Sequence, residues 1–124
     1  MMKILFLLLM NLALLQANTL RETKYAYVKS SIAQGQPHFV EFGSDSCYSC
    51  QIMGKTLYQF KAQNPSYNIE FVNVKKERQV AQELKIRMIP TQMIFDGEGN
   101  IVFKNVGLLT TQQLKDLFKK YKFK

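Results

Sequence analysis

The chain has 124 residues, of which 47% are hydrophobic and 21% charged, and its net charge is +8 at pH 7. This length suits one compact domain and is too short for two. Because the chain has only two cysteines and one short hydrophobic run, its composition excludes an intrinsically disordered chain, a polytopic membrane protein and a disulfide-dense mini-protein.

The first seventeen residues have the build of a secretory signal peptide. Lys3 gives a positive start, Ile4 to Leu15 are almost all apolar, and Gln16-Ala17 ends the run. Twelve residues in a helix span about 18 Å, whereas the hydrocarbon core of a bilayer is about 30 Å thick. We therefore predict cleavage after Ala17 rather than a retained anchor, which leaves a mature domain of residues 18–124.

Export places the mature chain in an oxidising compartment, and we expect this to be the bacterial periplasm, where a cysteine pair can be oxidised. Loss of Lys3 leaves a net charge of +7, with the basic residues scattered apart from one cluster at 119–124. We expect a solvated basic surface that favours acidic partners or anionic lipid headgroups, and no nucleic-acid partner.

The first half of the mature chain alternates between helical and strand patterns. Residues 19–33 have apolar residues at helical spacing and predict an N-terminal helix that ends before Pro37. His38 to Phe42 is a short apolar run typical of a buried strand. Residues 47–63 predict a second helix, and Ile69 to Val74 predict a second strand.

The second half begins with a helix predicted over Glu77 to Ile86. Gln92 to Phe95 and Ile101 to Val106 predict an antiparallel hairpin, since a Gly-rich turn joins them. Thr110 is placed as the N-cap of a last amphipathic helix. The order of elements predicts an α/β fold in which a four-stranded mixed sheet is covered by helices on both faces.

The motif that indicates a chemical function is Cys47-Tyr48-Ser49-Cys50, which stands where a predicted strand gives way to a predicted helix. Cysteines three apart on a first helical turn lie on one face, about 5–6 Å apart at Cβ, which is close enough for a disulfide. The first thiol faces unpaired N–H groups and the positive end of the helix dipole, which favour the thiolate. Cys47 is therefore the candidate nucleophile, and Cys50 the more buried resolving thiol.

Other roles for the two cysteines are less well supported. A zinc site needs four ligands, and beyond the cysteines the chain offers only His38 and carboxylates. Covalent haem attachment needs a histidine where Gln51 stands. A purely structural disulfide across so small a loop would constrain the unfolded chain little. Thiol–disulfide exchange is favoured over these alternatives, and we expect neither a metal nor a cofactor.

Together these features resemble the thioredoxin family over nearly the whole mature chain. The segments that carry the resemblance are Phe39 to Phe42, Cys47 to Cys50, Ile89-Pro90-Thr91, Asp96 to Asn100, and Val106 to Leu109. The combination of Cys-x-x-Cys with a later Ile-Pro-Thr is the specific part. The resemblance implies a thioredoxin fold and a redox-active disulfide between Cys47 and Cys50.

The same resemblance implies how a client protein is held. Pro90 is expected to follow a cis peptide bond, and the backbone of Ile89 to pair with an extended client segment. Tyr48 and Thr91 are the further residues that we expect to contribute to client binding.

Glu41 stands six residues before Cys47, where thioredoxins keep a buried acid. On a strand its side chain would point toward the sheet interior under Cys50, and desolvation would raise its pKa into the range of a proton carrier. We therefore expect Glu41 to serve Cys50, the alternative being a surface carboxylate.

Departures from the family pattern affect the direction of electron flow. Ser46 stands where the family usually has Trp, and Tyr48-Ser49 replaces the familiar Gly-Pro pair that tunes the reduction potential. Ile89 before the proline favours reduction. We predict a monomeric reductase of protein disulfides, with a membrane thiol reductant as its electron donor. A disulfide oxidase or isomerase, and a non-catalytic binding module of the same fold, are the alternatives.

Overall fold

The computed structural model describes residues 18–124, so the predicted signal peptide lies outside the described residues. Helices and strands follow one another in the predicted order. The helices are α1 (Tyr25–Ser31), α2 (Tyr48–Gln63), α3 (Arg78–Glu83) and α4 (Thr111–Lys120), and the strands are β1 (His38–Gly43), β2 (Asn68–Asn73), β3 (Thr91–Phe95) and β4 (Ile101–Val106). Within residues 18–124, no helix combines the length and the apolar character needed to span a bilayer.

The four strands form one mixed sheet in the order β2-β1-β3-β4. Strand β1 runs parallel to β2 and antiparallel to β3, and β3 pairs with β4 as the predicted hairpin. Asp96 holds the hairpin turn, since its Oδ1 accepts the backbone N–H groups of Glu98 and Asn100 at 3.0 and 2.9 Å. The predicted four-stranded mixed sheet is confirmed.

The sheet separates two apolar cores because alternate residues of each strand point to opposite faces. On β1, Phe39 faces α2 and α4, whereas Val40 and Phe42 face α1 and α3. The buried members of the first core are Phe39, Met53, Leu57, Phe60, Ile69, Ile94, Leu109, Leu114, Phe118 and Phe123. Helices therefore cover both faces, as expected.

The prediction of a helix over residues 19–33 is wrong in its N-terminal part, because α1 begins only at Tyr25. Glu22 instead forms a parallel bridge with Phe71, and the Thr23 N–H donates to the Phe71 carbonyl at 2.7 Å. Pairing with the open edge of β2 thus outweighs the local helical pattern. The Glu77 carboxylate accepts the Tyr25 N–H at 3.2 Å, which stabilises the start of α1.

The end of α3 differs from its predicted position, whereas the start of α4 lies where the sequence predicts it. Helix α3 stops at Glu83 rather than at the predicted Ile86, because Lys85 takes a left-handed φ of 55° and the Ile86 N–H turns back to the Ala81 carbonyl. At α4 the predicted N-cap is present. The Thr110 hydroxyl accepts the Gln113 N–H at 3.1 Å, and the Gln113 side chain accepts the Thr110 N–H at 2.8 Å.

Candidate active site

Cys47 is the N-cap of α2, at the end of the loop that follows β1. Its sulfur accepts the backbone N–H of Cys50 at 3.2 Å, and its carbonyl accepts the N–H of Gln51 at 3.0 Å. Cys47 is partly exposed, whereas Cys50 is 6% exposed. The Cys47 sulfur is therefore accessible to solvent at the helix start, and the hydrogen bond that it accepts would also stabilise a thiolate.

Cys47 and Cys50 form a disulfide, and their Cα atoms are 5.1 Å apart. Gly43, the last residue of β1, lies directly beneath it. A Cβ at this position would stand 2.8 Å from Cys50 Sγ and 3.1 Å from Cys50 Cβ. Only glycine leaves room here for the Cys50 sulfur.

The Ile89–Pro90 peptide bond is cis. Phe42 pairs with Thr91, so Gly43 and Pro90 stand at the same end of neighbouring strands. The Gly107 N–H donates to the Pro90 carbonyl at 2.8 Å, which places the loop after β4 beside the proline. The Cys-x-x-Cys helix start and the cis-proline turn thus share one end of the sheet.

Tyr48 is 78% exposed beside the partly exposed Cys47, and Ile89 is half-buried. Thr91 is buried, and its hydroxyl donates to the Met88 carbonyl at 2.6 Å. The Thr91 side chain therefore shapes the turn before β3 rather than reaching solvent. Exposed apolar side chains of Met88, Val106 and Leu108 flank the proline turn.

Glu41 is 1% exposed and lies on the face of β1 that α2 covers. Together with Cys50 it lines a cavity of about 270 Å³ that also borders Ser44, Gly54 and Phe71. Burial raises the pKa of Glu41 to about 8, although the hydrogen bond donated by Gln92 opposes the shift. A carboxyl group with such a pKa can exchange a proton near neutral pH.

Residues 26–122 match the family model described as a thioredoxin-like domain. The chain belongs to the thioredoxin-like family. It is therefore a thioredoxin-like member of the thiol–disulfide oxidoreductases, and Cys47 and Cys50 are its Cys-x-x-Cys pair. Proteins of this family act on dithiol or disulfide substrates.

Curated relatives support the family assignment of this thioredoxin-like chain. It is 26% identical to a thioredoxin of Mycoplasmoides gallisepticum over 97 residues, which is 78% of this chain and 96% of that protein. It is 30% identical to a thiol:disulfide interchange protein TxlA homolog of Synechocystis over 81 residues, 63% of this chain and 45% of that protein. The chain thus spans less than half of the second relative.

Solved structures agree on the thioredoxin fold. Chloroplastic thioredoxin z superposes with a TM-score of 0.74 and 17% identity, over 84% of this chain and 95% of that one. The thioredoxin NaTrxh of Nicotiana alata superposes with a TM-score of 0.69 and 21% identity, over 78% of this chain and 84% of that one.

Sequence reasoning missed two features of the site. Gly43 ends an apolar strand, and nothing in the local pattern shows that Cys50 will lie on it. Gln92 was visible as a polar residue in a buried strand, between Thr91 and Met93. A polar side chain inside a core needs a hydrogen-bond partner, and this signal could have identified Gln92 as a candidate neighbour of Glu41.

Proposed function

We propose that this chain is an exported oxidoreductase that reduces protein disulfides in the periplasm. The observation that carries the proposal is the arrangement at the start of α2. There the partly exposed Cys47 sulfur accepts a backbone N–H, and Cys50 is buried behind it. An accessible sulfur whose thiolate is stabilised suits attack on a client, and a sheltered one suits resolution.

In the proposed reaction the Cys47 thiolate attacks one sulfur of a client disulfide. A mixed disulfide forms, and the other client sulfur leaves as a thiolate. Cys50 then transfers its proton to the Glu41 carboxylate and attacks the Cys47 sulfur, which releases the second client thiolate. The client gains two electrons, and the chain is left with the Cys47–Cys50 disulfide and a protonated Glu41.

The client segment is proposed to lie across the cis-proline turn. An extended segment would pair with the backbone of Ile89 and pass Pro90, with Tyr48 against its side chains and Thr91 holding the turn. Backbone pairing gives affinity with little sequence selectivity. The exposure of Tyr48 and of Met88 supports an apolar contact surface at this end of the sheet.

We propose export on the basis of residues 1–17, and an exported reductase needs an electron donor. Because the periplasm is oxidising, a reductase there needs a membrane thiol reductant that restores the Cys47–Cys50 dithiol. We propose that the exported chain acts as a monomer on proteins and has no nucleic-acid partner. Expression in a bacterium with a periplasm tests this address, since the intact mass of the fractionated protein should correspond to residues 18–124. An uncleaved chain that keeps residues 1–17 and fractionates with the cell membrane would contradict the proposed export and cleavage.

The direction of electron flow is tested by the reduction potential of the Cys47–Cys50 pair in glutathione buffers. A reductase is expected near thioredoxin, at about −270 mV, whereas a strong oxidant lies near about −120 mV. A value at the oxidising end would overturn the reductase proposal and favour a disulfide oxidase or isomerase that uses the same residues in reverse.

Trapping separates an enzyme from a non-catalytic module of the same fold. Cys50→Ser should accumulate a mixed disulfide with a disulfide-containing model protein, because Cys47 can attack but nothing resolves the adduct. Cys47→Ser is the matched control and should trap nothing. If Cys50→Ser forms no adduct after reduction, the pair is an inert disulfide and the enzymatic proposal fails.

A further inference from the structure

A row of polar side chains crosses the sheet one step behind the active end. Glu41 on β1 pairs with Gln92 on β3, and Gln92 pairs with Asn105 on β4. The neighbouring row on the same face is apolar throughout and consists of Ile69, Phe39, Ile94 and Phe103. Three polar groups side by side in such a core need a joint explanation, because each needs a partner for its hydrogen-bonding groups.

Gln92 is 0% exposed, and its amide has partners on both sides. Its Nε2 donates to Glu41 Oε1 at 2.9 Å and to the Gly107 carbonyl at 2.8 Å, and its Oε1 accepts from Asn105 Nδ2 at 2.8 Å. The Gly107 carbonyl can only accept, so it fixes which end of the amide faces Glu41. Gln92 therefore meets Glu41 as a donor.

The two oxygens of Glu41 are consequently unequal. Oε1 is held by Gln92, whereas Oε2 is buried without a hydrogen-bond partner among residues 18–124. The carbonyl oxygen of a carboxylic acid is a better acceptor than its hydroxyl oxygen, so the hydrogen bond from Gln92 to Oε1 favours the proton of a neutral Glu41 on Oε2. Glu41 and Cys50 line the same cavity, so the resolving thiol lies beside this carboxyl group.

We propose that Gln92 is a positioning residue for proton transfer from Cys50, in which it holds Glu41 Oε1 and leaves Oε2 to receive the proton. This inference rests on the proposed function. In the step, the Cys50 S–H bond breaks and an O–H bond forms at Oε2, and the resulting thiolate attacks the Cys47 sulfur and expels the client thiolate. Asn105 acts one step further away, by holding the amide of Gln92.

Among residues 18–124, Gln92 is the residue whose side chain hydrogen-bonds to the Glu41 carboxyl. The side of β2 presents Phe71, helix α2 presents Cys50 and Gly54, and the N-terminal segment presents Thr19 and Leu20. Besides Glu41, the charged residue lining the cavity is Asp45, whose side chain is largely exposed and screened by solvent. Cys50 is the titratable neighbour when the pair is reduced.

The test follows the Glu41 carboxyl carbon by NMR across pH in the oxidised mature chain. Gln92→Met removes the donor, so the charged form loses its hydrogen bond and the midpoint should rise by about one pH unit. Asn105→Ala should shift it in the same direction by less. Met93→Ala is the matched control, since Met93 is buried on the opposite face of β3, and its midpoint should match wild type.

Kinetics give a second readout that a purely structural role would not move. At pH 7 the ionised fraction of Glu41 should fall about tenfold in Gln92→Met, which slows release of a preformed mixed disulfide by the same factor. In a Glu41→Gln background the same substitution should leave the pH profile of release unchanged, because the group it acts through is gone.

The outcomes separate the two proposals. If wild type exchanges disulfides but the Glu41 midpoint stays in place in folded Gln92→Met, the role of Gln92 is overturned and the proposed function stands. If wild type shows no exchange at all, the proposed function is overturned. Should Gln92→Met not fold, the substitution at the half-buried Asn105 tests the proposal instead. An unchanged Glu41 midpoint in Asn105→Ala would then overturn the positioning role of Gln92.

Discussion

Glu41 connects the pH of the solution to the stability of the fold. Its ordinary pKa of 4.5 is raised to about 8 by burial. A pKa raised on folding means that the folded state holds the proton more tightly than the unfolded state does. The associated stability is complete below the unfolded pKa of 4.5 and is lost as the pH rises through the folded pKa of about 8.

Glu41→Gln should remove this pH dependence, because the neutral amide keeps the shape of the protonated acid. Between pH 4.5 and about 8, wild type is expected to lose up to about 5 kcal/mol of unfolding free energy that the variant keeps. Urea unfolding of both oxidised proteins at pH 5 and pH 9 measures the difference. Parallel losses in the two proteins would contradict a raised pKa at this site.

The space that Gly43 leaves beneath Cys50 should influence the reduction potential of the Cys47–Cys50 pair. In Gly43→Ala the new Cβ stands 2.8 Å from Cys50 Sγ and 3.1 Å from Cys50 Cβ. Breaking the disulfide frees the sulfur to rotate, so we expect reduction to relieve the first contact and not the second. The oxidised form should lose about 1–3 kcal/mol relative to the reduced form, which raises the reduction potential by roughly 20–60 mV. Equilibration with glutathione measures the shift.

Gly54→Ala is the control for this substitution, because a Cβ at Gly54 in α2 meets nothing within 4 Å. Replacing a glycine inside a helix should stabilise the chain by about 0.5–1 kcal/mol and leave the potential in place. If both alanine variants shift the potential equally, contact with Cys50 is not the cause.

At the scale of elements, the starts of α2 and α4 have different roles. The start of α2 directs an N–H group at the Cys47 sulfur, whereas the start of α4 is closed by the capping box between Thr110 and Gln113. Both were placed by local sequence, since an N-cap depends on residues within one turn. Helix α1 was misplaced because its boundary depends on β2, far along the chain.

Thr110→Ala should destabilise the chain by about 1 kcal/mol through loss of the capping hydrogen bond to the Gln113 N–H. The reduction potential should not change, because α4 contributes packing rather than a contact with the disulfide. Denaturant unfolding and a glutathione equilibrium provide the two measurements. Thr110→Ser, which keeps the hydroxyl, should retain most of the stability, and an equal loss in both variants would contradict a capping role.

At the scale of the whole molecule, Phe118 joins helix α4 to the sheet and to the C-terminal end of α2. Its ring centroid lies 5.5 Å from that of Phe39, 5.2 Å from that of Phe60 and 4.9 Å from that of Phe123. This aromatic cluster lies in the core on the α2 face, the same face on which Glu41 lies.

Phe118→Ala should cost about 3–5 kcal/mol, since it removes a buried ring and leaves a cavity. Tyr27→Ala, at an exposed position on α1, should change stability by no more than about 0.5 kcal/mol. Urea unfolding of both variants checks the contrast. A small loss in Phe118→Ala would mean that this cluster is not the centre of the core.

The sequence by itself determined the order of the elements, the mixed sheet and the Cys47–Cys50 motif at a helix start. These depend on periodicity, turn residues and spacing within a few positions. The resemblance to thioredoxin also singled out Glu41, an acid in an apolar strand six residues before Cys47.

Only the tertiary structure decided that residues 22 and 23 pair with the edge of β2, that Gly43 lies beneath Cys50, and that Gln92 joins Glu41 to Asn105. Strand register brings Gln92 beside Glu41, 51 residues away along the chain, and beside Asn105, 13 residues away. No local pattern encodes that register, since it is set by packing of the whole sheet between its two cores.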